Sequence, residues 1–222
     1  MKFVVKNTTT WSWVDLLCPH TCRGCGRLGE VLCECCKNDI LKQQKSICPL
    51  CKMEIARQPK NVLTWKCADC DLLGKTIFVG GWREGALAKL IKEYKYEAVR
   101  AAGRSLVEIL DAVIPENQDW PQKKIVVVPL PTIGKHVRER GIDHTLQLSK
   151  MLVKRRGWEV ECVLMRKKDT VQVGTKAAQR QAQAKEAYEV MKEIDKRKIY
   201  LLLDDIWTTG ASMVEAIRAM ER

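Results

Sequence analysis

Ten of the eleven cysteines stand before position 71, and eight of them form four Cys-x-x-Cys pairs: Cys22/Cys25, Cys33/Cys36, Cys48/Cys51 and Cys67/Cys70. Two sulfurs at this spacing share one tight turn and chelate one ion, and two such turns complete a tetrahedral site. Bulky apolar residues are sparse here, so metal is expected to supply much of the segment's folding energy. No apolar run is long enough to span a bilayer, and Met1 to Thr10 lacks the apolar core of a secretory signal. The expected location is the cytoplasm, where disulfides are rare and paired cysteines more often hold metal. One or two structural zinc ions are expected. Sequential pairing predicts one site from Cys22, Cys25, Cys33 and Cys36 and a second from Cys48, Cys51, Cys67 and Cys70; interleaved pairing stays open. Cys18, Cys35 and Cys162 are left over, and Cys162 reads as a buried thiol on a strand from Val160 to Met165.

After Gly74 the pattern becomes helical: Leu87, Leu90, Ile91, Tyr94, Ala98, Ala102, Leu106, Ile109 and Val113 recur at three- and four-residue spacing. Gly103 is expected to divide this stretch into two helices. Beyond a polar connection, strand and helix alternate: Ile125 to Pro131, His144 to Arg156, Val160 to Met165, Lys176 to Tyr188, Ile199 to Asp205, and Met213 to Glu221. Such alternation predicts an α/β fold with a parallel sheet covered by helices. The organisation is thus a cysteine-rich module at 1–75 and an α/β domain at 76–222. The first carries twelve Lys/Arg against seven Asp/Glu, and the second twenty-seven against twenty. Eight thiolates on two zinc ions would leave the first module nearly neutral, so the basic character belongs mainly to the second.

One string in that domain carries chemistry. Lys198-Ile199-Tyr200-Leu201-Leu202-Leu203 reads as a strand, Asp204-Asp205 ends it, and Ile206-Trp207-Thr208-Thr209-Gly210-Ala211-Ser212 leads into a helix. Backbone N–H groups, hydroxyls and a helix N-terminus together suit a phosphate. The two carboxylates fall one step back, where the vicinal hydroxyls of a ribose would lie. Walker and Gly-x-Gly-x-x-Gly loops lack such an acidic pair. Ligands of parallel sheets bind beyond the carboxyl ends of the strands, where this loop is expected.

The string resembles the phosphoribosyl pyrophosphate signature of type I phosphoribosyltransferases. Joined to the cysteine pairs, it makes the whole chain resemble the ComF family: bacterial competence proteins with an N-terminal double zinc ribbon and a type I phosphoribosyltransferase-like domain. Asp15-Leu16-Leu17-Cys18-Pro19, Leu90-Ile91-Lys92-Glu93-Tyr94-Lys95-Tyr96, and Val128-Pro129-Leu130-Pro131 with Arg138-Glu139-Arg140-Gly141 resemble family segments in the same order. So do Arg166, Thr170, Gln172 and Arg180. The chain departs from the family at Ile142-Asp143-His144, where Phe-Asn-Gln is usual, and at Gln183. The final helix ends at Arg222, where this fold normally adds a strand; either the chain is truncated or its sheet exposes an edge.

The resemblance implies that Asp204 and Asp205 hold the ribose hydroxyls, directly or through an ion, and that Thr208, Thr209, Gly210, Ala211 and Ser212 wrap the 5-phosphate. Arg138, Arg140 and Arg180 are the candidates for pyrophosphate, with Mg²⁺ offsetting its charge. No residue is identified as a general base, and no acceptor pocket is legible. Through the family's tie to DNA uptake, the resemblance also implies single-stranded DNA and DNA-uptake proteins as partners. Lys154-Arg155-Arg156, Arg166-Lys167-Lys168 and Lys196-Arg197-Lys198 are basic clusters suited to phosphates. The alternative is a phosphoribosyltransferase of nucleotide metabolism, which the same pocket would serve.

Overall fold

The computed structural model describes residues 20–48, 51, 53–54, 77–79, 84–97, 100–114, 124–132, 137, 141–167, 187–206 and 210–222. Its centre is β3, Ile125–Pro129, a valine-rich strand buried at every position. Burial on both faces is what a central parallel strand requires, and it explains the unbroken apolar run. β3 pairs in parallel with β4, Glu159–Val160, on one side and with β7, Ile199–Leu203, on the other. The β3–β7 register runs from Ile125↔Ile199 to Pro129↔Leu203, and the Leu130 N–H donates to Leu203 O at 2.9 Å. The residues that follow both strands therefore emerge side by side at one edge.

Helix α4, His144–Arg156, makes the crossover from β3 to β4. Asp143 caps its start by accepting the Leu146 N–H at 3.0 Å, and Gly157 ends it in the left-handed region at φ 70°. Its bounds match those expected from the alternation of strand and helix in the sequence. Helix α5, Ala211–Glu221, follows β7 and covers the opposite sheet face with β5, Leu164–Arg166, and β6, Tyr188–Val190. These last two strands form an antiparallel pair. The single strand expected over Val160 to Met165 is thus two strands in different sheets, and Cys162 between them is exposed rather than buried. Of the helix expected over Lys176 to Tyr188, only its end lies within the described residues, and Tyr188 is strand. The β3 side chains divide by alternation: Val127 joins the core under the helices, and Val126 and Val128 join the core under α5.

Helices α2, Gly85–Tyr96, and α3, Arg100–Val113, form the expected pair. The break does not fall at Gly103, which lies inside α3. A Cβ there would sit 2.7 Å from Tyr94 Cε2 and 2.9 Å from Cδ2. Glycine at this position makes room for a neighbouring ring instead of ending a helix.

The cysteine segment contributes α1, Glu34–Lys42, and β1, Lys45–Ile47, which pairs antiparallel with β2, Ile77–Val79. Its apolar residues Cys22, Val31, Leu32 and Ile40 share one core with Leu87, Leu90, Ile91 and Leu203. Two ion pairs reinforce this seam: the Arg23 guanidinium meets Glu93, and Lys37 Nζ lies 3.3 Å from Glu108.

Candidate functional site

Cys22 and Cys25 sit on a turn closed by a Thr21↔Leu28 bridge and by the Cys22 N–H donating to Arg27 O at 2.8 Å. Gly26 turns the chain at φ 76°, and its N–H donates to Cys22 O at 2.9 Å. Cys33 is the N-cap of α1, which places Cys36 in the first helical turn. The second pair is therefore carried by a helix start. The four sulfurs all lie within 4.8 Å of one another, with Cys22–Cys33 at 3.6 Å and Cys25–Cys33 at 3.8 Å. Four Zn–S bonds of about 2.3 Å place tetrahedral sulfurs about 3.8 Å apart, while a disulfide needs about 2 Å. Sequential pairing of the first two Cys-x-x-Cys motifs is what the structure holds.

The four thiols differ in how readily they ionise. Burial pushes the Cys22 thiol up, but N–H groups of Cys33, Cys25 and Gly24 outweigh it and bring the group down to about 6. Burial pushes Cys36 up to about 12, and hydrogen bonding to the neighbouring sulfurs together with the Cys22 charge adds to the rise. Four thiolates packed this closely repel one another, so a positive ion between them stabilises the fully ionised set. The all-sulfur set and its spacing fit zinc, which would pin the first loop to α1. Gly24 is part of the fit, because a Cβ there would lie 2.5 Å from Cys36 Sγ.

Cys48 and Cys51 repeat the frame of the first turn. Ile47↔Glu54 bridges as Thr21↔Leu28 does, and the Cys48 N–H donates to Met53 O at 2.9 Å as Cys22 does to Arg27. Cys67 and Cys70, the remaining candidates of the second set, lie outside the described residues. Cys35 is exposed and does not join the four-sulfur cluster.

At the carboxyl end of β7 stand Asp204 and Asp205. The Asp205 N–H donates to Asp204 Oδ1 at 2.8 Å, and Lys95 Nζ lies 2.7 Å from Asp205 Oδ2. The Lys95 and Asp205 side chains are only 12 % and 13 % exposed. Burial raises the Asp204 carboxyl to about 6, the Asp205 charge adds to the rise, and Lys95 offsets part of it. Gly210, at φ 78°, is the N-cap of α5 and accepts the Val214 N–H at 3.0 Å; Ala211 and Ser212 are exposed at the helix start. Thr208 and Thr209 of the same loop lie outside the described residues, as do Arg138, Arg140 and Arg180.

Three neighbours of this loop were given no role by the sequence reading. Lys95 comes from the last turn of α2. Tyr94, beside it, donates its hydroxyl to His144 O at 3.0 Å and meets the His144 ring edge-on. Burial pushes the Tyr94 phenol up to about 12, with Asp205 and Asp143 adding to the rise. Tyr188 bonds to Ser212, and the Arg166 guanidinium lies 5.8 Å from its ring centre. The signal for Lys95 is weak in sequence: one lysine at the edge of an apolar helical face.

The basic clusters are largely engaged within the chain. Arg155 and Arg156 both reach Asp111, Arg197 Nε lies 3.0 Å from Asp195, and Lys198 Nζ lies 2.8 Å from Glu161. Among the described residues no helix is long and apolar enough to cross a membrane. Compared with protein-family models, curated proteins and solved structures, the chain matches none of them.

Proposed function

We propose that this chain binds phosphoribosyl pyrophosphate, through its ribose 5-phosphate, on the loop between β7 and α5, and that it is a ComF-like protein of DNA uptake. The observation that carries the pocket is positional. Two adjacent carboxylates end a parallel strand, and an eleven-residue helix begins six residues after the second of them. In this reading a ribose diol sits on the carboxylates and a phosphate at the helix start, the order that the chain follows from β7 to α5. Thr208 and Thr209 complete the phosphate loop in this reading, and Arg138, Arg140 and Arg180 with Mg²⁺ take the pyrophosphate. The DNA-uptake role and the family membership rest on the ordered resemblance along the chain. The four-cysteine centre holds structural zinc, and the second set of four cysteines forms a second zinc site.

The test is calorimetric titration with phosphoribosyl pyrophosphate and Mg²⁺, followed by a pyrophosphate-release assay with purine and pyrimidine bases. Binding that is lost in Asp204→Asn supports the pocket. Absence of binding by the folded, zinc-loaded chain overturns it. Pyrophosphate release with a base would favour the transferase alternative over a purely DNA-handling protein.

A further inference from the structure

Resting on that reading of the pocket, we propose that Lys95 decides what the acidic pair accepts: a neutral vicinal diol is taken up directly, and a divalent cation is kept off. Lys95 is then a positioning residue that acts through Asp205.

The argument starts from charge. Two ionised carboxylates alone would present two negative charges, which suits a hard divalent cation held by oxygen ligands. With the Lys95 ammonium 2.7 Å from Asp205 Oδ2, the trio carries one net negative charge. A divalent cation between the carboxylates would have to sit beside that ammonium or expel it. Expulsion is resisted by the setting, because both partners are nearly buried and an unpaired charge left there is costly. Helix α2 also has little freedom to carry Lys95 away. Tyr94 is bonded to His144 O on one side, and Glu93 is paired with Arg23 on the other.

A diol meets no such obstacle. Asp205 Oδ2 faces Lys95, and Asp204 Oδ1 accepts the Asp205 N–H. The two carboxyl groups also hydrogen-bond to each other, and the two donors of a vicinal diol can take the place of that contact. Neutral hydroxyls add no charge beside the ammonium, and the ammonium holds the Asp205 carboxylate in one orientation.

The experiment uses the full zinc-loaded chain in buffer freed of other divalent ions, with two probes. Ribose 5-phosphate is titrated by calorimetry with and without Mn²⁺, and Mn²⁺ alone is titrated by the resonance signal of the free ion. Wild type is expected to bind ribose 5-phosphate with an affinity that Mn²⁺ changes less than twofold. Lys95→Met is expected to lose at least tenfold in ribose 5-phosphate affinity and to gain at least tenfold in Mn²⁺ affinity. Lys95→Arg, which keeps the charge, is expected to stay within about threefold of wild type in both titrations. A merely structural lysine would not produce the Mn²⁺ gain. If Lys95→Met fails to fold, Lys95→Gln replaces it and its Mn²⁺ titration decides: a gain of at least tenfold upholds the proposal, and wild-type Mn²⁺ affinity overturns it. A wild-type Mn²⁺ site that disappears in Asp205→Asn also overturns it. A wild type that takes up no ribose 5-phosphate refutes the sugar-phosphate reading instead, and the Mn²⁺ titration of Lys95→Met still decides whether the lysine keeps cations off.

Discussion

Replacing Gly24 by alanine should strip one ligand from the four-cysteine centre while leaving the backbone unstrained. The added Cβ would fall 2.5 Å from Cys36 Sγ and 2.9 Å from Cys36 Cβ, with Ala86 Cβ at 3.6 Å behind it. Ordinary contact between such atoms begins near 3.4 Å, so the sulfur has to retreat by about 1 Å. A structural Zn–S bond of about 2.3 Å tolerates only about 0.2 Å, and Cys36 therefore leaves the ion or the turn lifts away from α1. Overpacking of this order costs about 1–3 kcal/mol, which corresponds to a zinc affinity lower by roughly 5- to 150-fold. Gly24 is not among the glycines with positive φ, so alanine brings no left-handed penalty there. Gly26→Ala is the matched control: its Cβ meets nothing within 4 Å, but φ 76° costs about 1–2 kcal/mol of folding. Competition against a chromophoric zinc chelator, with zinc counted per chain, separates the two. Wild-type zinc affinity in Gly24→Ala would refute Cys36 as a ligand. A larger affinity loss in Gly26→Ala than in Gly24→Ala would refute the steric account.

Gly103→Ala should destabilise the chain by about 1–3 kcal/mol in urea unfolding, although alanine ordinarily gains about 1 kcal/mol in a helix interior; a stabilised variant would contradict the packing of Tyr94 on α3. Asp204 ionises at about 6 in the folded chain, raised first by burial and then by Asp205, against 3.8 for the free group. Unfolding therefore releases a proton between these values, and stability falls as pH rises through that window. Asp204→Asn should flatten the fall and gain on the order of 1–3 kcal/mol at neutral pH; an unchanged pH profile in denaturant melts would refute this. Ribose 5-phosphate affinity should rise as pH passes 6, because a diol needs the ionised carboxylate, and a flat calorimetric pH series would count against it. Asp111→Ala releases Arg155, while Arg156 keeps its bonds to the Asp111 and Ile114 carbonyls, so the salt dependence of single-stranded DNA binding should steepen by about 0.7 in log–log slope for the one further phosphate neutralised. An unchanged slope would remove this cluster from the DNA-binding proposal.

Features set by short-range chemistry were legible in the sequence. The Cys22/Cys25 turn is closed mainly by neighbours within a dozen residues, so the spacing of its two sulfurs was enough to anticipate it. Helix α4 begins and ends where its cap residue, its periodicity and Gly157 dictate. The Asp-Asp end of β7 followed from an apolar run interrupted by charge. Where the decision rested on distant partners, sequence reasoning had no purchase. Gly103 is a helix breaker by propensity, yet a tyrosine nine residues earlier fills the space its missing side chain leaves. Cys162 reads as a strand thiol, yet the chain there passes from the parallel sheet to an antiparallel pair and leaves it exposed. Lys95 and Asp205 are far apart along the chain and carry no local pattern that joins them. Burial of both side chains at the meeting of α2 and β7 creates their pairing, and only the packed core shared by those elements brings them within 2.7 Å.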